Sequence, residues 1–185
     1  MGEAALRADA RRNRERLLTV TRQVVAEEGA NVSLRDIARR AEVGIGTLYR
    51  HFPTREALLD AALRDGLESL TAEADEGLLA DSPGEALLAW LERFSARSRA
   101  WCALPMPTGQ PGTQPELQAA SRAMAESVAR LLTRAQDAGQ VRRDVDAGDL
   151  LATARAIGWL SEHTEPDRVT RILAVIHEGL TTDGP

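Results

Sequence analysis

Gly44 and Pro53 bracket the segment that most constrains how this chain can fold, the eight residues Ile45 to Phe52. A helix this short is unstable alone in water, so it persists only if neighbouring elements hold it. Leu48 and Phe52, four apart, fall on one helical face and are its natural anchors. Upstream, Ser33 is placed to cap a helix, with Asp36 three residues on in a capping-box position. Leu34, Ile37, Ala38 and Ala41 then share one face at helical spacing. Val43-Gly44 breaks the pattern, and Gly44 can take the non-helical geometry of a turn or N-cap. Pro53 stops the second helix and Thr54 is positioned to cap a third. Two short helices around a tight turn form a helix-turn-helix, an arrangement that can place a helix in the DNA major groove.

The 185-residue chain is long enough to bury a real core around such a motif. Aromatic residues make up only 3%, so the core must be mostly Leu, Ala, Val and Ile, which favours helices over sheets. No apolar run reaches the length of a membrane span and the N-terminal stretch is polar and Arg-rich, so a soluble cytoplasmic protein with no membrane partner is expected. Cys102 is the only cysteine, and it offers neither an internal disulfide nor, beside scattered histidines, a metal-ligand pattern; no cofactor is expected. The net charge of −5 is unevenly spread: residues 1–60 carry 11 Arg against 9 acidic residues, residues 61–185 carry 12 against 19. A small positive excess beside an acidic remainder fits an N-terminal part that meets phosphates.

The expected fold is all-α, with a three-helix DNA-binding domain over residues 1–60 and a helical regulatory and dimerisation domain over 61–185. Residues 1–9 have no strong pattern and read as a tail. Leu17, Val20, Val24 and Val25 mark an amphipathic helix from Ala10 to Glu28, ended by Gly29. Its first turns carry Arg11, Arg12, Arg14 and Arg16, read either as a solvated basic face or as an arm reaching the DNA backbone. A long helix from Thr54 to about Ala80 connects the two domains, and another runs from Glu85 to Trp101. Residues 103–115 hold four of the eight prolines and read as a loop. Pro115 can start the next helix and Gly139 close it, while Asp146 and Asp149 mark the start of another.

The last two helices are apolar on more than one side. Leu150, Leu151, Ala154 and Ile157 form one stripe of the first; Ala152, Ala156, Trp159 and His163 form a second. The final helix, from near Pro166, adds Val169, Ile172, Leu173, Val175, Ile176 and Leu180. Helices with two apolar faces need two things to pack against, which points to a two-fold homodimer through Ala152, Ala156, Trp159, Ile172, Val175 and Ile176, with a simple monomer core as the alternative.

The run Ile37-Ala38-Arg39-Arg40-Ala41-Glu42-Val43-Gly44-Ile45-Gly46-Thr47-Leu48-Tyr49-Arg50-His51-Phe52, followed by Arg55-Glu56-Ala57-Leu58, closely resembles the signature of the TetR (tetracycline-repressor) family. The resemblance covers roughly residues 10–60; beyond that it is architectural. It implies a transcriptional regulator, expected to be a repressor, that binds double-stranded operator DNA. Ser33, Tyr49 and His51 match the family's phosphate contacts, with Arg55 adding charge. Arg35 could reach phosphate or a base, and Arg11 and Arg12 the adjacent backbone. Ile45, Gly46, Thr47 and Arg50 are expected to meet the major groove: Gly46 permits close approach, Thr47 offers hydroxyl and methyl, and Arg50 can pair with guanine or clamp a phosphate. Two positions depart from the common pattern. Glu42 stands where many members have Gly, and Gly44, itself placed among the DNA-binding residues, stands where many have Ser and brings no side chain to a phosphate.

The resemblance also implies a small-molecule effector in the C-terminal domain that favours the non-binding conformation. Trp90, Phe94, Trp101, Met106 and Met124 are the candidate pocket lining, the Pro-rich loop a lid, and a largely apolar or aromatic ligand is expected. Two other classes stand against this. An enzyme could use Cys102 with His163, but neither sits in a catalytic motif, and no catalytic residue is assigned. A helical interaction protein would use the basic N-terminal surface to bind a partner or an anionic membrane, and would bind specific and scrambled duplexes alike.

Overall fold

The computed structural model describes residues 3–28, 32–102 and 115–181, which form eight helices. In chain order these are α1 (Glu3–Glu28), α2 (Leu34–Arg40), α3 (Ile45–His51), α4 (Arg55–Gly77), α5 (Pro83–Cys102), α6 (Pro115–Asp137), α7 (Ala147–His163) and α8 (Pro166–Leu180). The fold is all-α, as the apolar spacing implies, and none of the described helices is long and apolar enough to cross a membrane. The chain packs as two units, residues 1–66 and 67–185, with the packing boundary inside α4.

In the first unit α1, α2 and α3 pack together with the opening turns of α4. Leu17, Leu18, Val24 and Val25 from α1 meet a core made of Ile37, Ala38, Leu48, Phe52, Leu58 and Leu63, all buried. Leu48 has no exposure at all, which answers how a seven-residue helix survives. Burying one leucine is worth about 1.5–3 kcal/mol, comparable to everything a helix of that length lacks. Phe52 ends α3 in extended geometry (φ −136), as expected of a residue before proline. Thr54 then caps α4, its hydroxyl accepting from the Ala57 N–H at 3.0 Å.

Two helix boundaries differ from the expected ones by three residues or more. Helix α1 is described from Glu3, not from near Ala10, so residues 3–9 of the segment read as a tail are helical. It contains strong helix formers, and Asp9 accepts from both Arg12 (3.2 Å) and Asn13 (3.3 Å) one turn on. Extending an existing helix costs no new nucleus and needs no apolar stripe. Helix α4 stops at Gly77, three residues early, where Leu78, Leu79 and Ala80 close a turn with their N–H groups on Asp75, Glu76 and Gly77 carbonyls. Gly29, expected to end α1, lies outside the described residues.

The second unit is built on α5, α6 and α7 with the later half of α4. Trp90 sits at its centre with 0% exposure, stacked on Phe94 at 5.2 Å between ring centroids. Its indole N–H donates to the Leu70 carbonyl at 2.8 Å, satisfying the one polar group so large a side chain carries inward. Polar ties fix α4 at the rim. Glu73 accepts from Arg93 (2.6 Å) and Arg97 (2.7 Å), and Asp75 accepts from Ser127 and Arg130, both at 2.8 Å. Burial alone would raise the Glu73 pKa; the hydrogen bonds from Arg97 and Arg93 outweigh it and hold the carboxyl below its ordinary value. Gly139, at φ +71, turns the chain out of α6, and Asp146 and Asp149 form a reciprocal capping box on α7.

Leu48→Ala should cost about 2–5 kcal/mol of unfolding free energy, because it opens a cavity at the anchor of α3. Denaturant titration measures it; a change below about 1 kcal/mol would show that α3 is held by something else.

Candidate nucleic-acid interface

Helix α3 turns Leu48 inward and its other side chains outward. At about 100° per residue, Gly46 and Arg50 lie opposite Leu48, while Tyr49 and Ile45 continue the same arc round to about 100° and 60° from it. Ile45 is 39% exposed and Tyr49 50%, large side chains left in water on a helix with a fully buried partner face. A Cβ added at Gly46 would meet nothing within 4 Å, so the bare backbone there faces open space. Thr47 is half-buried.

Arg50 lies folded back along its own helix. Its guanidinium donates to the Thr47 hydroxyl at 3.0 Å and to the Gly46 carbonyl at 3.4 Å. Three of the residues expected to meet DNA are thereby joined directly, and the exposed bonds are weak enough for Arg50 to leave them. His51 is half-buried, its ring 6.2 Å from that of Phe52.

Ser33 caps α2 in β geometry, its hydroxyl accepting from the Arg35 N–H at 3.3 Å. Asp36 does not complete the expected capping box. Its carboxylate is taken by Arg39 and Arg40, and the Arg39 hydrogen bond, with Arg40 adding charge, holds it below the ordinary carboxylate value. Arg40 also reaches across to Glu27 (2.9 Å) and Glu28, so it ties α2 to α1. Neither Arg35 nor Arg55 has an ion-pair partner among the described residues; Arg35 is exposed and Arg55 half-exposed.

The arginines of α1 divide in a way that spacing did not reveal. Arg11 and Arg12 point to solvent and pair only with acids of their own helix, Glu15 at 3.7 Å and Asp9 at 3.2 Å. Such exposed pairs are worth about 0–1 kcal/mol and yield readily to a stronger anion. Arg14 and Arg16 serve the unit itself. Arg14 lies over the Phe52 ring at 5.6 Å, and Arg16 donates to Glu42 at 2.7 Å. Arg14 sits three and four residues before the buried Leu17 and Leu18, which was the available signal that it borders the core.

The turn carries both departures from the common pattern. Glu42 adopts φ 53, a left-handed conformation that costs a residue with a Cβ about 1–2 kcal/mol. Gly44 caps α3 with β geometry (φ −60, ψ 139) and no side-chain hydrogen bond.

In the second unit, the expected pocket residues Trp90, Phe94 and Met124 are at most 2% exposed and packed in the core. Side chains this tightly covered leave no room for a ligand against them unless the interior opens. The Trp101 side chain, the Cys102 side chain, Met106 and the rest of the Pro-rich loop lie outside the described residues. His51, His163 and His177 sit in separate elements, and no cluster of His, Cys, Asp or Glu suited to a metal occurs among the described residues. The faces of α7 are sharply divided. Leu150, Leu151, Ala154 and Ile157 are buried, while Ala152 and Ala156 are exposed and Trp159 is 55% exposed. On α8, Val175 is 68% exposed and Ile172 and Ile176 are half-buried.

Comparison with known proteins places this geometry. Residues 17–62 match the profile of bacterial regulatory proteins of the tetR family, and residues 82–182 match the transcriptional regulator SbtR-like C-terminal domain. A TetR transcription regulatory protein from Mycobacterium vanbaalenii is 37% identical, with 96% of this chain and 99% of that one aligned at a TM-score of 0.73. A TetR transcriptional regulator from Streptomyces coelicolor is 31% identical over 92% of this chain and 99% of the other, at a TM-score of 0.76. Among curated relatives, the HTH-type transcriptional repressor KstR of Mycolicibacterium smegmatis is 38% identical over 82 residues, which are 43% of this chain and 40% of that protein. The chain thus spans about two fifths of the length of the curated relatives it first matches.

A Cβ at Gly44 would meet only the Thr47 hydroxyl, at an ordinary 3.9 Å. Gly44→Ser should therefore fit, cap α3, and raise stability by a few tenths of a kcal/mol. A thermal melt checks this; a lower midpoint would show that the turn cannot accept a side chain.

Proposed function

Because the chain belongs to the TetR family of bacterial transcriptional regulators, we propose that it is an operator-binding repressor that reads DNA through the outer arc of α3. The exposed arc carries this reading: Ile45, Gly46, Tyr49 and Arg50 are held outward by the complete burial of Leu48. Arg50 leaves Thr47 to pair with a base edge, guanine offering the best match for a guanidinium fork. Thr47 and Ile45 add hydroxyl and apolar contacts, and Gly46 lets the backbone approach. Ser33, Tyr49, His51 and Arg55 contact phosphates, which fix register without reading sequence. Arg35 takes phosphate or base, and Arg11 and Arg12 exchange their weak helix partners for the DNA backbone.

The working form is a homodimer through α7 and α8. Support comes from the exposed apolar face of Ala152, Ala156, Trp159 and Val175, flanked by half-buried Ile172 and Ile176. A two-fold dimer presents two copies of α3, so the operator is an inverted repeat with half-sites about one helical turn, 34–36 Å, or a multiple apart. An apolar or aromatic effector in the second unit releases the DNA by binding a conformation that does not fit the operator. Trp90, Phe94 and Met124 line its space only when the core opens.

Two measurements test these assignments. With a duplex selected from a random pool, Arg50→Ala should lose about 1–3 kcal/mol and relax one base preference, whereas Tyr49→Phe should weaken selected and scrambled duplexes by similar factors. Unchanged discrimination in Arg50→Ala would remove its base-reading role. Trp159→Glu should sediment as a monomer, because it puts a charge into the apolar face; a stable dimer would put the interface elsewhere.

A further inference from the structure

Glu42 is poorly explained by the fold around it. Among the described residues it is the only non-glycine at positive φ, a conformation in which glycine is better accommodated. Its carboxylate holds Arg16 at 2.7 Å, but the two side chains are 80% and 49% exposed, and so open a pair contributes little to stability. Neither backbone geometry nor stability therefore accounts for a glutamate at this turn. Its charge remains.

That charge stands beside the DNA-reading helix. Glu42 is two residues from Gly44, the N-cap of α3, and two residues of chain span at most about 7 Å. Duplex DNA carries one negative charge per about 1.7 Å of its axis. Any duplex seated on α3 brings phosphates within one Debye length, about 8 Å at physiological salt, of the turn. Arg12, Glu15, Arg16, Thr19, Val20, Arg40 and Ala41 share a shallow depression with Glu42. Arg40 is already held by Glu27, Glu28 and Asp36, and Arg12 by Asp9, whereas Arg16 has Glu42 as its partner.

We propose that Glu42 is an electrostatic brake on DNA binding, which rests on the operator-binding reading above. It repels the approaching backbone with its own charge, and it competes with phosphate for Arg16, its partner at 2.7 Å. The brake acts on every sequence alike, because it works on phosphates and not on base edges. It lowers affinity and salt dependence while leaving sequence choice to α3.

The test uses the full chain, a duplex enriched from a random pool by the unsubstituted protein, and a scrambled duplex, each titrated across a salt series. Glu42→Gln keeps the backbone strain and removes the charge. It should tighten both duplexes by about threefold at low salt, the unscreened effect of one charge about 7 Å away in water, and by less as salt rises. It should also steepen the slope of log K against log salt by about 0.9, as Arg16 takes one phosphate. Arg16→Ala alone should leave the slope unchanged, and in combination with Glu42→Gln should cancel the added slope. Unchanged affinity and slope in Glu42→Gln overturns the proposal, and so does an added slope that survives intact in the double variant. If the unsubstituted protein enriches no sequence at all, the operator-binding reading itself falls, a result distinct from either of these.

Discussion

Leu48 enters the core of the first unit from a helix of only seven residues, and the outward side chains of that helix are presented only while it stays there. Hydrogen bonding alone does not hold so short a helix. Burial does, and its direction decides the rest. With Leu48 facing inward, helical geometry sends Ile45, Gly46, Tyr49 and Arg50 outward as one arc. Phe52 reinforces the same anchor from the end of the helix, covered by the Arg14 guanidinium at 5.6 Å. The surface proposed to read DNA is in this sense a by-product of a small apolar core.

Charge is arranged around that core in two layers. Arg14, Arg16 and Arg40 face partners within the unit, namely Phe52, Glu42 and the acids of α1 and α2. Arg11, Arg12, Arg35, Arg50 and Arg55 carry weak partners or none and remain available to an anion. A net excess of two positive charges over residues 1–60 looks small because much of the arginine is used internally. The second unit solves a different problem. It packs Trp90 and Phe94 inward and ties α4 at its rim through Glu73 and Asp75, yet leaves an apolar face of α7 and part of α8 in water.

The helical architecture was legible because apolar period and stop signals agree: Pro53, Thr54, Pro115, Gly139 and the Asp146–Asp149 pair all act where their chemistry puts them. The opening turns of α1 were not legible, since a helix extended from a packed one shows no stripe of its own. The early stop of α4 depends on a carbonyl-by-carbonyl competition at Gly77 that periodicity does not register. At the candidate site, the outward residues of α3 follow from spacing once Leu48 is assigned inward. What spacing could not give was partnership. Arg14 is marked as bordering the core by Leu17 and Leu18 one turn on, but nothing in the spacing says that Arg16 faces a neighbour distant in sequence while Arg11 and Arg12 do not. The positive φ of Glu42 is likewise a product of how α2 and α3 meet.

The central claim is that the outer arc of α3, backed by Leu48, is a sequence-reading surface. A backbone amide shift map of labelled protein, titrated with an enriched duplex and separately with a scrambled one, tests it most directly. The expected result is that the largest changes fall on Ser33 to Arg35 and Ile45 to His51, and that those on Ile45 to Thr47 and Arg50 appear only with the enriched duplex. Changes confined to residues beyond Gly66, or identical maps with both duplexes, would contradict it.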